Sequence, residues 1–368
     1  MKKITFEACK ELVRPIGRTY WDERESLFSM NWTCSGVEIK FQGTCLMAHF
    51  KAGSGIEIEG LPFDERAPRR DIWPIVAVFV DGNDEPHRTI HLTKEEETHL
   101  IFESLTEETH TIRIVKLTEN YKTRAGITYF VMDGEVLQNT EEKKKQIEFI
   151  GDSITCGFGN MTTDRDRFFY SEDENGFMSH AAIASRMLGM EVQMMCVSGI
   201  CSSQRVGLPQ DYGMNDLYPY TDRIYHDKTK QDGQAQEWDF AGHPSEYVVL
   251  NLGTNDGTAI MMSPNQDEET ENFRRDYLEF VKTIRRLNGP DTWIVCALGS
   301  MDYYLYHDVV EIVEAYKKES QDTRISTFRY KKMSAMDPMG ACAHPHLITQ
   351  KKMAKEIAEE IKRIEAMK

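Results

Sequence analysis

The period of the hydrophobic pattern changes once along this chain, close to residue 141, and that change limits the folds open to it. Up to about residue 140 the apolar stretches are short and alternate with polar residues. Val37-Glu38-Ile39-Lys40-Phe41 has period two, and Leu46 to Phe50, Ile75 to Val80, Thr89 to Leu92, Thr111 to Leu117 and Ile127 to Met132 read as further strands. Asp81-Gly82-Asn83-Asp84 and Asp133-Gly134 supply turns. Many short strands with regular turns predict a β-sandwich, with a jelly roll as one form of it. The charged run Glu141-Glu142-Lys143-Lys144-Lys145 follows as a solvated connector.

Beyond the connector, strands alternate with helices. Strand-like runs are Ile147–Ile150, Val192–Val197, Tyr247–Leu252, Trp293–Leu298 and a weaker Ile325–Tyr330. Phe273, Tyr277, Phe280, Val281, Ile284 and Leu287 make one apolar helix face, which Gly289-Pro290 stops. Val309 to Tyr316 and Met353 to Ile364 give two more helices. Alternating β and α units predict a mainly parallel sheet between helical layers. The expected division is therefore an all-β domain over 1–140, a linker over 141–146 and an α/β domain over 147–368, and 368 residues suffice for two cores.

The first strand of the α/β part ends in Gly151-Asp152-Ser153-Ile154-Thr155-Cys156-Gly157-Phe158-Gly159. A serine at such a turn stands at the carboxyl edge of the sheet, where open α/β sheets bind ligands. Acyl transfer by serine needs a base for the hydroxyl and donors for the oxyanion. Ser153 is the candidate nucleophile, and its own N–H one donor. Gly199, after the second strand, can bring a second N–H close because it lacks a side chain. Asn255, after the third strand, offers a neutral side-chain amide. The base is expected at His344 in His344-Pro345-His346, with His346 the weaker alternative.

Asp152 reads as a local backbone cap. Asp256 reads as a turn or helix-start residue, and also stands as a candidate substrate contact beside Asn255. The loop carrying Met301, Tyr303 and Tyr304 follows the fourth strand. Its aromatics either stack on a sugar ring or pack on the sheet. His180 reads as a packed helix position, and Trp21 and Trp32 as sandwich core.

The net charge of −16 argues against nucleic acid or an anionic membrane surface as a partner. Eight cysteines without a CxxC read as reduced core thiols rather than disulfides or a metal site. No apolar run approaches the ~18 residues of a membrane span. Glu7, Lys10 and Glu11 interrupt any signal-like stretch, so a cytoplasmic location is expected.

Ser153, Gly199, Asn255 and His344, each in its own block and in this order, resemble the SGNH branch of the GDSL hydrolases. That resemblance implies a three-layer, flavodoxin-like catalytic domain. Gly17-Arg18-Thr19-Tyr20, Trp32-Thr33-Cys34-Ser35-Gly36, Phe79-Val80-Asp81-Gly82 and His110 to Lys116 are similar to the jelly-roll domain that precedes it in carbohydrate esterase family 2. The resemblance implies a serine carboxylic-ester hydrolase that needs no metal or other cofactor. It would remove O-acetyl groups from oligosaccharides derived from plant polysaccharides. Rival readings are a lipid or thioester hydrolase and a catalytically silent glycan-binding protein.

One departure stands out. SGNH enzymes usually carry an aspartate two or three residues before the histidine, and here those positions hold Cys342 and Ala341. Asp337 is a distant substitute. A Ser–His dyad is expected instead, with a backbone carbonyl near 340–342 holding the ring.

Overall fold

The computed structural model describes residues 1–59, 66–140, 144–205 and 211–367, so Glu141, Glu142 and Lys143 of the expected linker lie outside the described residues. The chain divides into two compact units, Met1–Lys143 with Phe168–Glu174, and Lys144–Arg167 with Asn175–Lys368.

The first unit is built on an antiparallel sheet whose spine is two long strands, Gly36–Gly53 and Glu96–Lys116. Val37–Phe41 and Leu46–Phe50, read from sequence as separate strands, are parts of one. The inward positions change parity along it. Val37, Ile39 and Phe41 are buried, and then Leu46, Ala48 and Phe50. A one-residue slip moves side chains to the other face, and here it falls beside a bulge where the ladder skips from Glu103 to Glu108 opposite. The two halves take different neighbours. Residues 46–53 pair with Arg124–Met132, while residues 36–42 pair with Arg14–Ile16 and Glu135–Leu137. Both sets of inward residues enter one core with Phe6, Phe28, Ile112 and Phe130.

Trp32 is buried, and Trp21 stacks on Phe6 with centroids 6.1 Å apart. The buried Lys116 ammonium donates to the carbonyls of Asn31, Thr118 and Glu119, which offsets its desolvation. Phe168–Glu174 belongs here although its sequence neighbours do not. The Tyr170 hydroxyl donates to Glu59, and the Glu174 carboxyl accepts from the Glu119 N–H at 2.9 Å.

The second unit holds a five-stranded parallel sheet. In spatial order its strands are Glu191–Cys196, Gln146–Gly151, Ser245–Asn251, Trp293–Leu298 and Ile325–Arg329. In chain order that is 2-1-3-4-5, the flavodoxin-like arrangement, with its switch point at the first strand. Helix Gln266–Asn288 buries Phe273, Tyr277, Phe280, Val281 and Ile284, the face the apolar spacing predicts, and ends at Gly289 with φ 81°. Helix Tyr306–Ser320 packs against it, and helix His180–Leu188 packs on the C-terminal helix Leu347–Glu365. Among the described residues no helix is long and apolar enough to cross a membrane.

Candidate active site

Three successive strand ends at the switch point supply the first three residues. Gln146–Gly151 runs into Asp152, whose Oδ1 accepts the Ile154 N–H at 2.9 Å and caps the one-turn helix Ser153–Cys156. Ser153 is thereby the first helical residue, with its N–H outside the helix ladder. The next strand ends in a turn closed by the Ile200 N–H on the Val197 carbonyl at 3.3 Å, and Gly199 takes φ 79° at its third position. An L-residue adopts that conformation poorly, hence glycine. The third strand leads to helix Thr254–Met262, with Asn255 in its first turn. The amide N–H groups of Ser153 and Gly199 have no hydrogen-bond partner among the described residues. Both follow the carboxyl ends of adjacent strands of the parallel sheet.

His344 arrives from beyond the fifth strand. Its Nε2 stands 2.8 Å from Ser153 Oγ, and its Nδ1 stands 3.1 Å from the Ala341 carbonyl and 3.2 Å from that of Cys342. Carbonyls only accept, so the proton sits on Nδ1 and Nε2 is free to accept from the serine. Among the described residues no carboxylate hydrogen-bonds the ring. The Asp337 carboxylate is taken by Lys352 Nζ at 2.6 and 2.7 Å. Burial pushes the imidazole pKa down, to about 4, against the opposing pull of the two carbonyls. His346 instead caps the C-terminal helix, its Nδ1 accepting the Ile348 N–H at 3.3 Å.

Backbone replaces the absent carboxylate. Cys342 and Ala343 both lie in the left-handed region, at φ 50° and 57°, a conformation that costs non-glycine residues about 1–3 kcal/mol each. Outside hydrogen bonds hold it. The N–H groups of Ala341, Cys342 and Ala343 donate to the carbonyls of Gly159, Arg167 and Arg165 at 3.2, 3.1 and 3.1 Å. Gly340 donates to the His344 carbonyl at 2.8 Å and closes the turn. The approach is so close that a Cβ on Gly159 would lie 2.5 Å from the Ala341 Cβ, and one on Gly340 2.1 Å from the Gly159 oxygen. Phe158 lays its ring 4.4 Å from the imidazole, centroid to centroid. The sequence reading missed Phe158 and this lattice. The signal was the pattern Gly157-Phe158-Gly159, an aromatic between two glycines directly after the nucleophile.

The Asn255 side-chain amide lies between Ile200 and Asp152, with Nδ2 3.0 Å from the Ile200 oxygen and 3.3 Å from Asp152 Oδ2. Asp152 is buried. Burial raises its pKa to about 7, the Ile154 N–H opposes that, and the carboxylates of Asp302 and Asp256 add to it.

Two of the expected substrate contacts have partners within the protein. Asp256 is fully buried, and its carboxylate accepts from the Ser202 N–H, the Ser202 hydroxyl at 2.7 Å and Arg205 Nε at 2.9 Å. It ties down the segment after Gly199 and faces no open space. The Tyr303 hydroxyl donates to the Tyr330 carbonyl at 2.7 Å, and the residue stays partly exposed. Met301 is half-buried, and Tyr304 is the exposed ring of the loop. Of the cysteines, Cys342 is exposed rather than in the core, and burial pushes the Cys201 thiol well up, away from nucleophilic use. Among the described residues no group of three or more His, Cys, Asp or Glu is arranged to hold a metal ion.

A doubly wound sheet with Ser153 and His344 joined at its switch point defines a hydrolase of the serine type. The chain belongs to the GDSL-like lipase/acylhydrolase family, whose profile matches residues 147–357. A second profile, described as carbohydrate esterase 2 N-terminal, matches residues 15–140. Among curated relatives, the chain is 29% identical over 347 residues to the cellulase/esterase CelE of Acetivibrio thermocellus, covering 90% of this chain and 37% of that protein. It is also 29% identical over 199 residues to an acetylxylan esterase/glucomannan deacetylase of Cellvibrio japonicus, covering 51% of each. The chain thus spans between a third and about half of the length of these relatives. A solved family two carbohydrate esterase from Clostridium thermocellum, in complex with cellohexaose, superposes with a TM-score of 0.80 at 28% identity, over 96% of this chain and 99% of that one.

Proposed function

We propose that this chain is a serine esterase that removes acetyl groups from the hydroxyls of neutral oligosaccharides, with Ser153 and His344 as a catalytic dyad. The 2.8 Å hydrogen bond from Ser153 Oγ to His344 Nε2, with Nδ1 held by carbonyls, carries this reading. His344 takes the serine proton as Oγ attacks the acetyl carbon. The oxyanion meets the N–H groups of Ser153 and Gly199 and the Asn255 amide. One Asn255 hydrogen stays on the Ile200 carbonyl and fixes the amide plane. The longer contact, to Asp152, is the one an arriving oxyanion replaces. The imidazolium then protonates the sugar oxygen as the acetyl–sugar bond breaks. Water, deprotonated by the same imidazole, cleaves the acetyl-enzyme and restores the serine.

The acyl group and the alcohol are read from the relatives. The matched proteins are named for esterase, acetylxylan esterase and glucomannan deacetylase activities, and the solved esterase superposes over 96% of this chain and 99% of its own. Xylan- or mannan-derived fragments are therefore the proposed substrates, and the chain's negative charge suits a neutral one. Tyr304 is the exposed ring available to a sugar face. Turnover of an aryl acetate by the wild type, abolished in Ser153→Ala, supports the reading. A folded wild type that leaves the ester intact contradicts it.

A further inference from the structure

Resting on the reading of Ser153 and His344 as a dyad, we infer that Gln350, clamped by His180, is a positioning residue that sets the distance between the nucleophile and the base. Gln350 lies in the first turns of the C-terminal helix and is fully buried, as is His180 at the start of helix His180–Leu188. The Gln350 amide has contacts on both of its ends. Oε1 accepts the His180 N–H at 2.8 Å and the His180 Nδ1–H at 3.0 Å. Nε2 donates to the Ile154 carbonyl at 3.0 Å and reaches the Pro345 carbonyl at 3.5 Å. Ile154 directly follows Ser153, and Pro345 directly follows His344. Both catalytic backbones therefore hang from one amide.

His180 decides which way that amide points. The His180 backbone N–H can only donate and the two carbonyls can only accept, so Oε1 faces His180 and Nε2 the carbonyls, and a flipped amide would oppose like groups at those three contacts. The His180 ring is itself fixed, edge-on to Phe149 and Tyr330 at centroid distances of 5.8 and 5.4 Å. Burial keeps it neutral, with its pKa pushed down to about 4. The clamp therefore holds its polarity through the neutral range. Neither residue touches the reacting atoms. They act through the two segments that do, which matters more here because no carboxylate orients His344.

The test compares Gln350→Met, which keeps the volume and removes all four contacts, in the wild-type and His344→Ala backgrounds. The readouts are aryl acetate turnover and the rate at which a fluorophosphonate labels Ser153. Displacements near 1 Å at a reacting pair can cost about 10²-fold. The expected result is a 10- to 100-fold loss in kcat and labelling rate, with KM within about twofold. In the His344→Ala background the same substitution should change the residual rate less than about twofold, because there is no base left to misplace. If Gln350→Met does not fold, Gln350→Leu serves. Its shorter apolar side chain also removes all four contacts, and it should give the same kcat loss. A folded variant with unchanged kcat, or an equal loss in both backgrounds, overturns the inference while the esterase reading stands. A wild type without turnover or labelling overturns both.

Discussion

His344 is held from behind by a peptide carbonyl. Its Nδ1 lies 3.1 Å from the oxygen of Ala341, a residue three positions earlier in the same turn. A neutral acceptor selects the tautomer as a carboxylate would, but adds no negative charge to stabilise the imidazolium. The orienting acid is also the member of known triads whose loss costs least.

The protonation state of His344 sets the acid limb of the rate profile. Only the neutral ring can accept from Ser153, and burial lowers its pKa from the ordinary 6.5 to about 4. The kcat/KM of the free enzyme should therefore rise with a midpoint near pH 4 and be level by pH 6. A midpoint near 6.5 would show an imidazole in ordinary solvation. The sign for stability follows from the same shift. His344 and His180 both bind protons less readily folded than unfolded, so their contribution to stability should fall as pH drops from about 6.5 to 4, while buried Asp152, raised to about 7, contributes with the opposite sign over the same range. Denaturant midpoints across that range check this.

Gly159→Ala should misplace the base. The new Cβ would lie 2.5 Å from Ala341 Cβ and 2.7 Å from its nitrogen, at a backbone φ of 60°. The His344 turn must then move off Ser153. Loss of about 10²-fold in kcat is expected, with KM little changed. Steady-state kinetics on a folded variant decide it, and a KM effect without a kcat effect would place the damage elsewhere.

Asn255→Ala should lower kcat about 10²–10³-fold, the usual cost of one oxyanion donor. It should leave binding of the ground-state ester nearly unchanged. A variant of full activity would remove Asn255 from the oxyanion site.

Asp256→Asn separates a structural role from a substrate contact. The Asp256–Arg205 pair is buried on both sides, and Arg205 also reaches Glu269 at 3.4 Å, so losing the Asp256 charge costs less than the roughly 3–5 kcal/mol of a buried charge left wholly unpaired. A marked fall in melting temperature is expected, with little change in KM. The reverse result would return Asp256 to the substrate.

Much of this was legible in the sequence because its pattern is local. The switch from period two to alternating strands and helices located the parallel sheet, and the residues after its strands located Ser153, Gly199 and Asn255. Gly289-Pro290 marked a helix end that the structure shows at Gly289. Other features depended on contacts far apart in sequence. The strand Gly36–Gly53 read as two because its inward face changes parity at a bulge, which pattern alone cannot tell from a turn. Asp256 beside Asn255 looked equally suited to a ligand, and only the partners Ser202 and Arg205, more than fifty residues earlier, show where its charge goes. Gln350 gave no signal, since a glutamine in a helix carries no periodicity and its partners His180 and Ile154 lie 170 and 196 residues away in sequence.

Ser153 is proposed to remove acetyl groups from sugar. Mass spectrometry of acetylated manno- and xylo-oligosaccharides, before and after incubation with wild type or with Ser153→Ala, tests it most directly. Stepwise loss of acetyl groups is expected with the wild type and none with the variant. Oligosaccharides that bind the wild type and keep every acetyl group would contradict it.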